Sequence, residues 1–245
     1  MARYDDSWTI LSEKFRSVLQ VIWDMAYSGD IEHVVILNGP AKQSVNNWHG
    51  GFAATAISVV ATFFAHDPDF GDPSQHIEFS KAMLKKNQFL YNQNRGVDSK
   101  AWSSLWRALF VLQAFAHHFN YIQGQAEVPS LDNEVEGPHT ALVLACVAVC
   151  HILTLVAENK VVFQPSGLGN MWTTVIPKGN QYKFNHTVWG ATTCCYLDPI
   201  KDLSHEHFAL FVEETQKFIK KPVSNLNARD LGDDDSSYDK LFAFH

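Results

Sequence analysis

Nothing in this chain matches a known catalytic or ligand-binding signature, and the near misses fail at the positions the chemistry needs. Pro165-Ser166-Gly167-Leu168-Gly169 has no glycine ahead of the serine, where a G-x-S-x-G nucleophile elbow requires one. Gly167-Leu168-Gly169-Asn170-Met171-Trp172 omits the third glycine of a dinucleotide loop, and Asn38-Gly39-Pro40-Ala41-Lys42-Gln43-Ser44 breaks the phosphate-loop spacing. Basic residues are also scarce. With 19 Lys and Arg against 26 Asp and Glu, the formal charge is −7, a field that repels polyanions, so neither a nucleic-acid nor an anionic-membrane role is expected. No internal repeat is visible, which excludes a solenoid. The opening Met-Ala-Arg-Tyr-Asp-Asp shows no basic stretch leading into an apolar one, so an intracellular protein is expected, cytoplasmic rather than nuclear.

Cysteine is sparse as well. Four in 245 residues do not make a disulfide framework. Cys146 and Cys150 are spaced i, i+4, and Cys194 and Cys195 are adjacent. Neither pair has the loop spacing of a structural zinc site, and a helix would turn His151 about 100° away from Cys150. Buried free cysteines acting as small apolar residues are expected, with no metal and no cofactor. Asn185-His186-Thr187 matches the glycosylation pattern only by chance if the protein is not secreted.

What the chain does have is a long uncharged run. Residues 140 to 157 contain no Lys, Arg, Asp or Glu and follow Gly137-Pro138. A membrane span needs about 20 apolar residues, and this run is at the short end, with His151 near its middle and no basic cluster at either flank. The other segments are amphipathic and need a core to pack on, so the run reads as the central helix of a helical bundle, not as a span. An apolar fraction of 46% suits one well-buried domain.

Apolar residues recur at helical spacing around it. Trp8, Leu11, Phe15, Val18, Leu19, Ile22 and Ala26 form a stripe between plausible caps at Asp6 or Ser7 and Gly29. A second helix is predicted from about Val45 to Ala65 after the turn signal Asn38-Gly39-Pro40, with Gly50 and Gly51 weakening it or admitting a close neighbour. A third starts near Pro73-Ser74 and runs towards Tyr91, and a fourth, rich in large aromatics, spans Ser99 to about Tyr121. Gln123 to Pro138 reads as an acidic surface loop. Val161 to Phe163 and Tyr182 to Tyr196 are broken by glycine and proline and allow one small β-hairpin. A last helix is expected over about Pro199 to Lys220. The expected fold is therefore all-α, a single-domain helical bundle over residues 1–222, followed by an acidic tail, 223–245. That tail includes Asp233-Asp234-Asp235 and ends in an aromatic stretch, Tyr238 to His245, able to dock in a groove of its own domain or of a partner.

The order of Leu84-Lys85-Lys86-Asn87-Gln88-Phe89-Leu90-Tyr91, the aromatic helix ending in Phe115 to Phe119, the acidic loop, Gly137 to Leu144 and Val161-Val162-Phe163 resembles an uncharacterised helical domain family of mushroom-forming fungi over about residues 8 to 220. The resemblance implies an α-helical domain from a basidiomycete and carries no activity, cofactor or catalytic residue with it. Trp48-His49-Gly50-Gly51 departs from the more basic helix start the family leads one to expect.

Twelve histidines keep metal or acid-base chemistry in view. His117-His118 and His205-Glu206-His207 are too close in sequence to share one helical face as the histidines of H-E-x-x-H do. His205 is expected on the surface in the first turns of the last helix, and one of His117 and His118 at the carbonyls ending the fourth. Two readings follow. The preferred one is a non-catalytic helical domain that binds a protein or peptide partner, or itself, through partly exposed aromatics. The other is an enzyme, small-molecule or metal-binding protein with a pocket between helices near Trp48, His49, His117, His118 and His151.

Overall fold

The computed structural model describes residues 8, 12–27, 39–96, 98–125, 137–165 and 172–221. Among these, seven α-helices carry the fold: α1 (Ser12–Tyr27), α2 (Gly39–His66), α3 (Pro73–Leu84), α4 (Leu109–Ile122), α5 (His139–Ala157), α6 (His186–Lys201) and α7 (His205–Thr215). Two small antiparallel ladders accompany them. One pairs β1 (Tyr91–Gln93) with β2 (Ser103–Leu105), and the other pairs β3 (Val162–Pro165) with β4 (Trp172–Val175). The architecture is the mainly helical single domain expected.

The uncharged run becomes α5, and helices α2, α3, α4 and α6 pack around it. Every residue from Thr140 to Val156 is buried except Cys150 and Thr154. Such a helix has no polar face to give to water, so it settles where neighbours cover it on all sides. Each buried Val, Leu or Ile contributes roughly 1.5–3 kcal/mol relative to exposure. Both α5 and residues 41–66 of α2 are long and apolar enough to cross a membrane, with mean hydropathy 2.5 and 1.3. In α5, 83% of the most apolar window is covered by protein, as a core helix requires.

Several boundaries differ from those the periodicity predicts. Helix α2 begins at Gly39, not Val45, because Pro40 sits in the first turn, where a missing N–H costs nothing. Helix α3, capped by Asp72 and Gln75 in a reciprocal box, stops at Leu84. Lys86 and Asn87 then take left-handed backbone angles (φ 57° and 55°), which no helix continues through. The fourth helix starts at Leu109 instead of Ser99. The Asp98 side chain accepts from the Lys100 amide and caps a single tight turn, β2 follows, and Ser104 and Trp106 have positive φ. Trp102 and Trp106 are buried from this irregular segment, so their helical phase with Leu109 is coincidental.

Of the two stretches expected to hold a hairpin, the first does form a strand, but its partner is 172–175, while Tyr182 to Tyr196 holds most of α6, started by Asn185 accepting from the Val188 amide at 3.1 Å. The single last helix is two. Pro199 lies in the final turn of α6, and Ser204 caps a fresh start at His205. Cys146 is buried as expected, but Cys194 and Cys195 are exposed, because they lie on the outer face of α6. The proposed caps Asp6, Ser7 and Gly29, the Ser166–Met171 stretch, most of the acidic loop (126–136) and the tail (223–245) lie outside the described residues.

Candidate functional site

Three helical stripes converge on one open cleft. Helix α1 contributes Phe15, Val18, Leu19 and Ile22; α2 contributes Ala41, Ser44, Val45 and Trp48; α4 contributes His118, Tyr121 and Ile122, and the turn after it Gln125. In each case the spacing is i, i+3, i+4, i+7, the same pattern that buries a helix on a core. Here the stripes border a cavity of about 560 Å³. Ile22 and Ile122 remain 38% and 42% exposed at its rim, and Met25 and Tyr27 continue the exposed apolar surface along α1. The polar groups present hold the walls in place. Tyr121 donates its hydroxyl to the Ser44 carbonyl at 2.8 Å and lies 2.9 Å from the Ser44 hydroxyl, tying α4 to α2.

The floor of the cleft opens into a seam of aromatic rings. His118 meets Trp48 edge-on at 6.0 Å between ring centroids, and Trp48 lies 5.1 Å from His49. His49 reaches Trp8 at 5.2 Å, Trp8 reaches Phe184 at 4.8 Å, and Phe184 reaches His151 at 5.6 Å. The structure thus links all five residues singled out from the sequence in one continuous network of rings, His117 joining Trp48 through Phe52 at 4.9 and 5.2 Å. Only Trp48 and His118 border the cleft.

His117 sits inside the α2/α4 contact, against Phe52 and Tyr121. A carbonyl can only accept, so His117 donates from Nε2 to the Trp48 carbonyl at 3.1 Å. His117 is thus bonded to a carbonyl of α2 and not to one ending its own helix. Gly51 makes it accessible: a Cβ there would lie 2.1 Å from the ring, so the close approach it admits is a side chain, not a backbone. His151 is held in the same way, Nε2 donating to the Tyr182 carbonyl at 2.9 Å, with Nδ1 buried and unpaired. Burial lowers the pKa of both His117 and His151 below the ordinary value of 6.5, against the opposing pull of those carbonyls. Both rings are neutral structural donors.

A second polar seat lies across the domain. Tyr196 donates to Asn87 Oδ1 at 3.2 Å, meets Trp106 edge-on at 5.6 Å and shares a hydrogen bond with Cys150. Burial pushes the Cys150 and Cys146 thiols up, which removes the thiolate a nucleophile or metal ligand needs. Among the described residues no group of three or more His, Cys, Asp or Glu side chains converges as a metal site.

Sequence reasoning found the α1 stripe and Trp48 but read the stripe simply as core-facing. Val45, Tyr121 and Ile122 were not singled out, although their i, i+3, i+4 spacing is the signal that would have found them. Comparison with known protein families, with curated proteins and with solved structures gives no match to this chain.

Proposed function

We propose that this is a non-catalytic helical domain that binds an amphipathic protein or peptide segment in the cleft between α1, α2 and α4. The observation behind this reading is that an apolar stripe of α1 faces mixed apolar and polar stripes of α2 and α4 around an open space, with Ile22 and Ile122 exposed at its rim. A helix laying i, i+3, i+4, i+7 anchors into a groove is the recognition mode with that shape. Neutral, hydrogen-bonded histidines and raised thiols speak for a scaffold rather than for acid-base or nucleophilic work. The same proposal places the protein inside the cell, in the cytoplasm, off the membrane and away from nucleic acid. It is supported by unbridged cysteines, a charge of −7 and the covered α5. Membership of the fungal helical family that the chain resembles belongs to this proposal too, and the helical fold is consistent with it.

The test is selection of displayed helix-forming peptides on the full chain. Enriched peptides should carry apolar residues at i, i+3, i+4 and i+7. On chains that both carry Phe242→Asp, so that the chain's own aromatic end does not compete, they should bind an Ile122→Asp variant about tenfold more weakly, since a desolvated carboxylate at the rim costs on the order of 1–3 kcal/mol. No enrichment, or equal binding to the variant, overturns the reading. The alternative, a histidine-bearing pocket for a small molecule or metal, draws on His118 at the cleft floor; one equivalent of metal in purified protein would favour it.

A further inference from the structure

Where the described chain ends bears on what fills this cleft. Lys220 donates its amide to Asn120 Oδ1 at 2.8 Å and accepts from Gln123 Nε2 at 3.0 Å through its carbonyl. Asn120 lies about 150° round α4 from the face of His118, Tyr121 and Ile122 that lines the cleft, and Gln123 is the residue after the helix, so Lys220 is held on the side of α4 opposite the cleft. The chain therefore leaves its last helical turn across the thickness of α4 from the cleft, a separation of at least about one helix diameter, roughly 10 Å. Residues 222–245 follow. An unstructured stretch as long as 222–237 spans about 20 Å on average, ample for that distance. Beyond it, Tyr238, Leu241, Phe242 and His245 fall at i, i+3, i+4 and i+7, the stripe that α1, α2 and α4 each present to the empty space.

We propose that residues 238–245 dock in the α1/α2/α4 cleft of their own chain and compete there with a partner segment. The inference rests on the cleft being a binding site and adds its regulation. Tethering makes the occupant effectively millimolar, so even a weak apolar contact keeps the cleft mostly filled. The stretch 223–237 carries Asp230 and Asp233-Asp234-Asp235 and only three scattered large aliphatic residues, Val223, Leu226 and Leu231, so the aromatic anchors are all at 238–245. If the segment is docked ten times in eleven, an incoming peptide binds about tenfold more weakly than to the open cleft.

Hydrogen exchange on the full chain tests this directly. Amides of 238–245 should exchange slowly, and both Ile122→Asp and Ile22→Asp, each at an exposed rim position, should restore fast exchange. Free-chain exchange of 238–245 in the unsubstituted protein overturns the proposal, as does protection that survives both rim variants. Protection that grows with protein concentration marks a second copy as the occupant and also overturns it. So does exchange showing that residues 28–38, not 238–245, are released by the rim variants. Peptides selected on the cleft should bind a Leu241→Asp/Phe242→Asp chain about tenfold more tightly than the unsubstituted chain. Equal binding with 238–245 unprotected removes self-docking and leaves the cleft reading intact. Protection of 238–245 with no peptide selected on either chain removes the partner reading and keeps the docked segment as a structural seal.

Discussion

Gly51 is the residue on which the α2/α4 contact turns. Alanine in a helix interior is normally favoured over glycine by about 1 kcal/mol. Here the added Cβ would displace the His117 ring, which then loses a hydrogen bond worth roughly 1 kcal/mol and its edge contact with Phe52, 4.9 Å away, worth about 0.5–1.5 kcal/mol. The losses exceed the gain, so Gly51→Ala should lower stability by about 1 kcal/mol in urea unfolding. The double variant Gly51→Ala/His117→Ala should show no further penalty from the alanine at 51. Histidine burial also sets a pH response. His117 and His151 have folded pKa values below 6.5, so under that pH the unfolded chain binds more protons than the folded one. Their contribution is fully present above 6.5 and falls away as pH drops through that value towards the folded pKa. The urea midpoint should therefore decline between pH 7.5 and 5.5, and His151→Gln should flatten the decline. Histidine count suggested chemistry here. Only the surrounding carbonyls reveal that these rings are donors held in place, because a side chain's partner is a tertiary fact.

At the level of the elements, α5 carries the stability and the irregular segments decide what it packs against. Leu144 is fully buried, and truncating it to alanine should cost about 2–5 kcal/mol, the range for a large-to-small change in a closed core. Leu210→Ala, at an exposed position on α7, should stay within about 0.5 kcal/mol. Arg107, just ahead of α4, forms a two-pronged ion pair with Glu214 of α7, with Nε to Oε2 at 2.9 Å. The bond to Arg107 holds the Glu214 carboxyl below its ordinary 4.5, so the pair stabilises above that pH and its contribution is lost as pH falls through the folded value. Both side chains are partly exposed, so Glu214→Gln should cost under about 1 kcal/mol at neutral pH and progressively less as pH falls below 4.5, read as the difference in unfolding midpoint. The existence of α1, α2, α3 and α5 was legible because their apolar periodicity is sustained. The starts of α4 and α7 were not. Trp102 and Trp106 keep helical phase while lying on a segment with positive φ, and the capping role of Ser204 has no periodic signature.

For the molecule as a whole, α5 is shared by four neighbouring helices, which makes independent unfolding of any of them costly. Urea unfolding followed by far-ultraviolet circular dichroism and by tryptophan fluorescence should give coincident single transitions, with tryptophans in α2, α4's approach and α6 reporting together. Separate transitions would indicate that the α1/α2/α4 side is a unit of its own. The cleft belongs to this scale. None of its three walls is unusual alone; the open space arises because three stripes, each wide enough to bury a helix, face one another without a fourth element among the described residues.

The sequence by itself determined that the chain is helical, that residues 140–157 form its centre and that little in it invites nucleophilic or phosphate chemistry. These follow from composition and spacing along one strand of covalent bonds, which local geometry translates directly. Which stripe meets core and which meets open space, and which histidine donates to which carbonyl, were decided only by the tertiary structure. An amphipathic helix advertises that one face must leave water. It does not encode which surface, of its own chain or another, will cover that face.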